Sequence, residues 1–157
     1  MLTSRLITTD RAPSAVKIGT GYLCNRRLTL DKLSQDGSGK CDAEQTGSES
    51  DRVYGVIFEI NREDEEKLDK AEGLNNGYKK ESVQVITNEE TINALTYIAT
   101  KKETILKPYR WYKALIVAGA AEHKLPNNYI EWLRSIEAVE DPNIQRRREN
   151  EKILFAS

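Results

Sequence analysis

The chain has 157 residues, a formal net charge of -1, 31% charged side chains and two cysteines, Cys24 and Cys41. That length fits one domain over residues 1–157 with a real core, and the near-neutral balance gives no electrostatic reason to expect nucleic acid or an anionic membrane. No apolar run approaches the roughly 20 residues that span a bilayer, Met1–Leu6 has no hydrophobic h-region, and so few cysteines point to reduced thiols, so the expected location is cytoplasmic.

Up to Pro13 there is no strong periodicity. Residues 15–23 read as a strand interrupted by Gly19 and Gly21, as at a bulge or bend. Residues 27–33 alternate like a second strand, and residues 34–51, rich in Ser, Gly, Asp, Glu and Gln, read as one long loop. The clearest strand is 52–60, apolar on both faces, which predicts a central position. Asn61 then caps a charged helix running to about Ala71. Two strands follow, near 78–87 and 94–101, joined by the polar turn Asn88-Glu89-Glu90. Pro108 and Tyr109 open a helix to about His123 with Tyr112, Leu115, Ile116, Gly119 and Ala120 in a stripe. Leu125-Pro126 starts another, and Asp141-Pro142 precedes a mixed-charge helix ending at Ile153-Leu154-Phe155. Strands come early and most helices late, which predicts an α+β fold.

One stretch, Leu68 to Tyr78, carries the most chemistry. Leu68 and Glu72 share a helical face, Ala71 sits beside them, and Gly73 is the residue type that ends helices in the left-handed conformation. An apolar stripe and the negative end of the helix dipole would both work against the charge of Glu72, which is how a carboxylate is prepared for proton transfer. A partly solvated glutamate at a helix end fits the same spacing.

Other arrangements are poorly supported. His123 is the lone histidine and there is no Cys-x-x-Cys pair or phosphate-binding glycine loop, so no metal and no cofactor is expected. A thiol hydrolase combining Cys24 or Cys41 with His123 is conceivable, although nothing in the spacing joins them; His123 suits a helix C-terminus better. The Arg146-Arg147-Arg148 run is followed at once by acids and reads as a solvated helix face. Trp111 and Trp132 are expected in the core or at a partner surface, the latter being the case for a homodimer.

The ordered series Arg52-Val53-Tyr54-Gly55-Val56-Ile57-Phe58, Leu68-Asp69-Lys70-Ala71-Glu72-Gly73, Tyr78, Ala94-Leu95-Thr96-Tyr97, Tyr112, Gly119-Ala120 and 122–129 resembles the γ-glutamylcyclotransferase family, from Met1 to about Ile136. The resemblance implies a small mixed β-barrel with surrounding helices. It also implies an intramolecular cyclisation of a γ-glutamyl amine, amino acid or peptide to 5-oxoproline. That reaction needs a folded-back small-molecule substrate and one proton-transferring carboxylate, but no cofactor. By the same resemblance Glu72 is the catalytic carboxylate, Tyr112 and Tyr78 contact the substrate, and Tyr97 matches a further family tyrosine. The family's first strand and Tyr-Gly-Ser-Asn substrate loop have no counterpart ahead of Met1. The expectation is either a start placed inside a longer chain or a chain that has lost the loop and its activity. A non-catalytic binding protein on the same fold is therefore the second reading.

Overall fold

A computed structural model of the chain describes residues 2–155. β1 (Val16–Cys24) and β4 (Arg52–Glu59) pair antiparallel from Val16 opposite Glu59 to Cys24 opposite Arg52. Their register slips between Lys17 and Gly19, a bulge in the glycine-interrupted segment. β5 (Tyr78–Ile86) and β6 (Thr91–Ala99) form a second antiparallel ladder, closed by a turn in which Thr87 N–H donates to the Glu90 carbonyl at 2.9 Å. These strands make one sheet in the order β4-β1-β5-β6, although β1 and β5 pair only at Tyr22 opposite Ile86.

The strand expected to be central is therefore an edge strand of its sheet. β4 is apolar on both faces because each face meets a different core. Ile57 packs with Leu23, Val83 and Val85, while Tyr54 packs against the group around Leu125, Ile130 and Leu133.

β2 (Arg26–Leu33) and β3 (Gly39–Gln45) form a separate antiparallel hairpin. β3 lies inside the stretch that the sequence presents as a loop. Its buried positions are Gly39 and Asp42, so it shows no apolar alternation. Ionic partners replace apolar ones here: Asp42 pairs with Lys102 at 3.0 Å and accepts the Ala99 N–H at 2.8 Å. Those contacts set the hairpin against β6, while β2 runs beside β4. The α+β class is as expected, but the ladders are antiparallel rather than mixed, and the described strands form two sheets rather than a closed ring.

α2 (Arg62–Glu72) begins and ends as its sequence dictates. The Asn61 side chain accepts the Asp64 N–H at 2.8 Å. At the other end Gly73 takes φ 74°, and the Leu74 N–H returns to the Asp69 carbonyl at 2.9 Å. Its inner face differs from the predicted apolar stripe: Asp64, 2% exposed, is its buried residue. The helix docks through carboxylates. Asp64 accepts from Ser14 N–H at 2.7 Å and Lys67 at 2.8 Å, Lys80 binds Glu65 and Asp69, and the Tyr97 hydroxyl donates to Asp69 at 2.6 Å.

Lys67 and Ser14 hold the Asp64 carboxyl at about 2, below its ordinary 3.8. Because its folded value is depressed, its stabilising effect is complete above 3.8 and is lost as pH falls towards about 2. Acidification through that window should loosen α2, measured as faster limited proteolysis around residues 61–75.

α3 (Arg110–Glu122) and α4 (Asn127–Ser135) pack against Leu28 and Tyr54 of the strands, and α5 (Ile144–Phe155) packs on α3. Trp111, Leu115, Gly119 and Ala120 are the buried residues of α3, and His123 is its C-terminal cap. Ile153 and Leu154 of α5 pack on the cluster of Leu2, Tyr109, Trp111 and Leu115. Trp111 is core, whereas Trp132 is 41% exposed. No helix among the described residues is long and apolar enough to cross a membrane. Leu133 is only 1% exposed among the packed side chains of α3 and α4. Leu133→Ala should therefore destabilise the fold by roughly 2–5 kcal/mol, read from thermal or denaturant unfolding.

Candidate active site

Glu72 is the last residue of α2, and the left-handed Gly73 turns the chain away immediately after it. Its carboxylate is half-buried, with the side chain 21% exposed, and Arg11 donates to its Oε1 at 2.6 Å. Sequence spacing put apolar side chains beside Glu72; the structure puts a guanidinium there. Arg11 arrives from a segment tied down on three sides. The Leu6 carbonyl accepts from Ala12 at 3.0 Å, Thr3 N–H donates to Glu122 at 3.0 Å, and Arg5 donates to Asn150 at 3.0 Å. Within that segment α1 (Thr3–Leu6) buries Leu6. Arg5 is electrostatically coupled to both Arg11 and Glu72, and burial together with Arg11 lowers its pKa.

Tyr78 follows Glu72 by six residues, across the turn that begins at Gly73, and opens β5. Its hydroxyl donates to the Cys41 carbonyl at 2.7 Å, and the Tyr112 hydroxyl accepts the Cys41 N–H at 3.1 Å. Two phenols from different elements thus clamp the backbone of one β3 residue, Cys41, on both of its polar groups. Burial raises the pKa of both phenols, with Cys41 adding to each and Glu72 contributing to Tyr78. Glu72, Tyr78 and Tyr112, selected from sequence, are therefore brought into one cluster. Tyr78 has committed its proton to a backbone carbonyl. Tyr112 accepts at its oxygen and also interacts with the Cys41 side chain. Tyr97 backs the cluster with its ring edge-on to Tyr78, centroids 6.4 Å apart.

Sequence reasoning missed Arg5, Arg11 and Lys32. Arg11 and Glu72 are 61 positions apart in the chain, and no motif links them. Lys32 lies on β2 with its ammonium 4.5 Å from the centre of the Tyr78 ring and feels the field of Glu72. The hint available was a lysine at a position in an alternating strand otherwise occupied by Leu28 and Leu30.

Burial pushes the Cys41 thiol up to about 11, so it is protonated at neutral pH and a poor nucleophile. The His123 ring instead faces Phe58, with centroids 5.6 Å apart, and lies 3.2 Å from the Thr3 hydroxyl. Among the described residues, no three His, Cys, Asp or Glu side chains are grouped to hold a metal ion. Two surface recesses, about 490 and 420 Å³, lie away from Glu72. The first is lined by Arg27, Arg52, Tyr54, Tyr129 and Trp132, the second by Trp111, Leu154 and Phe155 among others. Glu72, Tyr78 and Tyr112 line neither of them.

Residues 52–133, which contain Glu72, Tyr78 and Tyr112, match the AIG2-like family. The chain is 34% identical over 137 residues to the γ-glutamylcyclotransferase of Homo sapiens, covering 81% of this chain and 70% of that protein. The Mus musculus γ-glutamylcyclotransferase is also 34% identical, over 140 residues, with 83% of this chain and 71% of that protein covered. A solved structure of a γ-glutamyl cyclotransferase superposes with a TM-score of 0.84 at 29% identity, covering 96% of this chain and 92% of that one. The family match, the sequence identity and the superposition agree, and the chain belongs to the γ-glutamylcyclotransferase, AIG2-like family.

Proposed function

We propose that the chain is a γ-glutamylcyclotransferase and that Glu72 carries its proton transfers. The observation that carries this reading is a half-buried carboxylate, fixed at a helix end that a left-handed glycine closes and gathered with Tyr78 and Tyr112, in a chain 34% identical to enzymes of that name. The substrate is a γ-glutamyl amine, amino acid or peptide folded back on itself. Its α-amino nitrogen attacks its own γ-carbonyl carbon, and a new C–N bond closes the five-membered ring. Glu72 takes the proton that leaves the attacking nitrogen and returns it to the departing nitrogen as the original amide bond breaks. The products are 5-oxoproline and the free amine. Tyr112 donates its phenolic hydrogen bond to the glutamyl part, Tyr78 presents the edge of the site, and the fold's main contribution is to hold the substrate in its cyclising conformation.

Among the described residues Arg11 alone bonds the Glu72 carboxylate, at Oε1, which leaves Oε2 to exchange the proton. The same ion pair favours a second reading, a binding protein in which Arg11 holds Glu72 and no turnover occurs. Release of 5-oxoproline from a panel of γ-glutamyl compounds separates the two. Turnover by the parent chain that disappears in Glu72→Gln is the expected result. Binding of the compounds without any 5-oxoproline would establish the second reading.

A further inference from the structure

Lys32 places a positive charge inside the fold without a matching negative one. The residue is 8% exposed, and among the described residues its ammonium enters no hydrogen bond or ion pair. It rests instead over the face of Tyr78, 4.5 Å from the ring centre. Gly77 has left room for it: a Cβ on that residue would lie 3.0 Å from Lys32 Cε and 3.2 Å from Nζ, and Gly77 itself sits at φ 122°.

Burying an ammonium is costly unless a counter-ion and hydrogen bonds replace its water, and one aromatic face returns only part of that cost. Glu72 and then Asp36 are the carboxylates acting on it, with Lys101 opposing. Both are engaged elsewhere: Arg11 holds Glu72 at 2.6 Å and Lys40 holds Asp36 at 2.7 Å. Burial lowers the Lys32 pKa, as expected of a cation short of partners. Arg11 pairs with Glu72 and Arg5 also feels its field, so three cations, Lys32, Arg5 and Arg11, act on this one carboxylate. A buried donor with three hydrogens and, among the described residues, no acceptor, in the field of the candidate catalytic carboxylate, is the arrangement that binds an anion.

We propose that Lys32 is a ligand-binding residue of the Glu72 site, its ammonium taking a carboxylate of the bound molecule. The choice of ligand rests on the γ-glutamyl reading above. A γ-glutamyl compound offers such a group in two places, the α-carboxylate of the glutamyl part and, when the departing amine is an amino acid, the carboxylate of that amino acid.

The test is calorimetric titration of the chain in a Glu72→Gln background, which suppresses turnover, with Lys32 intact or replaced in Lys32→Met and Lys32→Arg. The probes are γ-glutamylglycine, N5-methyl-L-glutamine, which lacks the departing carboxylate, and N-methyl-4-aminobutanamide, which has no carboxylate. Lys32→Met should weaken γ-glutamylglycine by about tenfold or more, Lys32→Arg should restore most of the loss, and the carboxylate-free probe should be unaffected. Weakening of N5-methyl-L-glutamine to the same degree assigns Lys32 to the α-carboxylate; weakening confined to γ-glutamylglycine assigns it to the departing amino acid.

Equal binding of all probes by Lys32→Met and its parent overturns the proposal. Lys32→Met should melt no lower than its parent, because it removes an uncompensated buried charge. A lower melting temperature with unchanged affinities would make Lys32 a structural residue instead. Kinetics on chains with Glu72 intact keep the two readings apart. Release of 5-oxoproline with KM unchanged in Lys32→Met rejects the role of Lys32 and keeps the enzyme. Lys32-dependent binding without 5-oxoproline does the reverse, and failure to bind any probe rejects both.

Discussion

Glu72→Gln is expected to lower 5-oxoproline release by about 10²- to 10⁴-fold while KM changes little, because the amide cannot take up the proton of the attacking amine. Glutamine keeps the size of the side chain and an acceptor for Arg11, so the contact that fixes its position persists in neutral form. The ion pair is partly solvated, with side-chain exposures of 17% and 21%, and its loss should cost no more than about 1 kcal/mol of stability. An unchanged melting temperature beside a large fall in kcat would therefore locate the defect in chemistry rather than folding. Activity that survives the substitution would remove Glu72 from its role and leave Tyr112 as the group to examine next.

Asp141→Ala is expected to destabilise the fold by about 3 kcal/mol, since the substitution leaves a buried indole N–H unpaired and strands a guanidinium. For a chain of this size that corresponds to a fall of about 10 °C in melting temperature. The Asp141 side chain is fully buried, accepts the Trp111 indole N–H at 2.9 Å and binds Arg146 through both oxygens at 2.6 and 2.7 Å. It also accepts the Asn143 N–H at 2.8 Å, which shapes the entry to α5. One carboxylate therefore joins α5 to α3 beside the cluster around Leu2 and Leu115. Arg146 first, then Trp111 and the Asn143 backbone, hold this carboxyl at about 2 against an ordinary 3.8. Its folded value is depressed, so the stabilisation is complete above 3.8 and fades as pH falls towards about 2. The gap between parent and Asp141→Ala melting temperatures should close over that window. A gap independent of pH would assign the effect to packing rather than to charge.

The Arg146-Arg147-Arg148 run illustrates how a local reading can be right in kind and incomplete. Arg147 does lie among acids, near Glu140 and Glu151, as a solvated helix face would. Arg146 is instead a structural partner of Asp141, five positions earlier, which the residues between them do not announce. The hairpin strand β3 was illegible for a related reason. Strand patterns are read from alternating apolar side chains, and β3 satisfies its inner positions with a glycine and an ion-paired aspartate. The expected apolar face of α2 failed in the same way, because Glu65, Asp69 and Glu72 hold the helix against cations brought from elsewhere and Asp64 accepts the Ser14 N–H.

By itself the sequence determined what depends on neighbours a few positions apart. The Asn61 cap, the left-handed stop at Gly73 and hence the placing of Glu72 at a helix end all rest on hydrogen bonds within about five residues. The order of the elements other than α1 and β3, and the family resemblance, were likewise carried by the chain itself. What surrounds Glu72 was decided by tertiary structure. Arg11 comes from the N-terminal segment, Lys32 from β2, and Cys41, whose backbone Tyr78 and Tyr112 clamp, from β3. Charge pairing has no sequence period, so these cations became visible only when distant segments were folded onto one carboxylate.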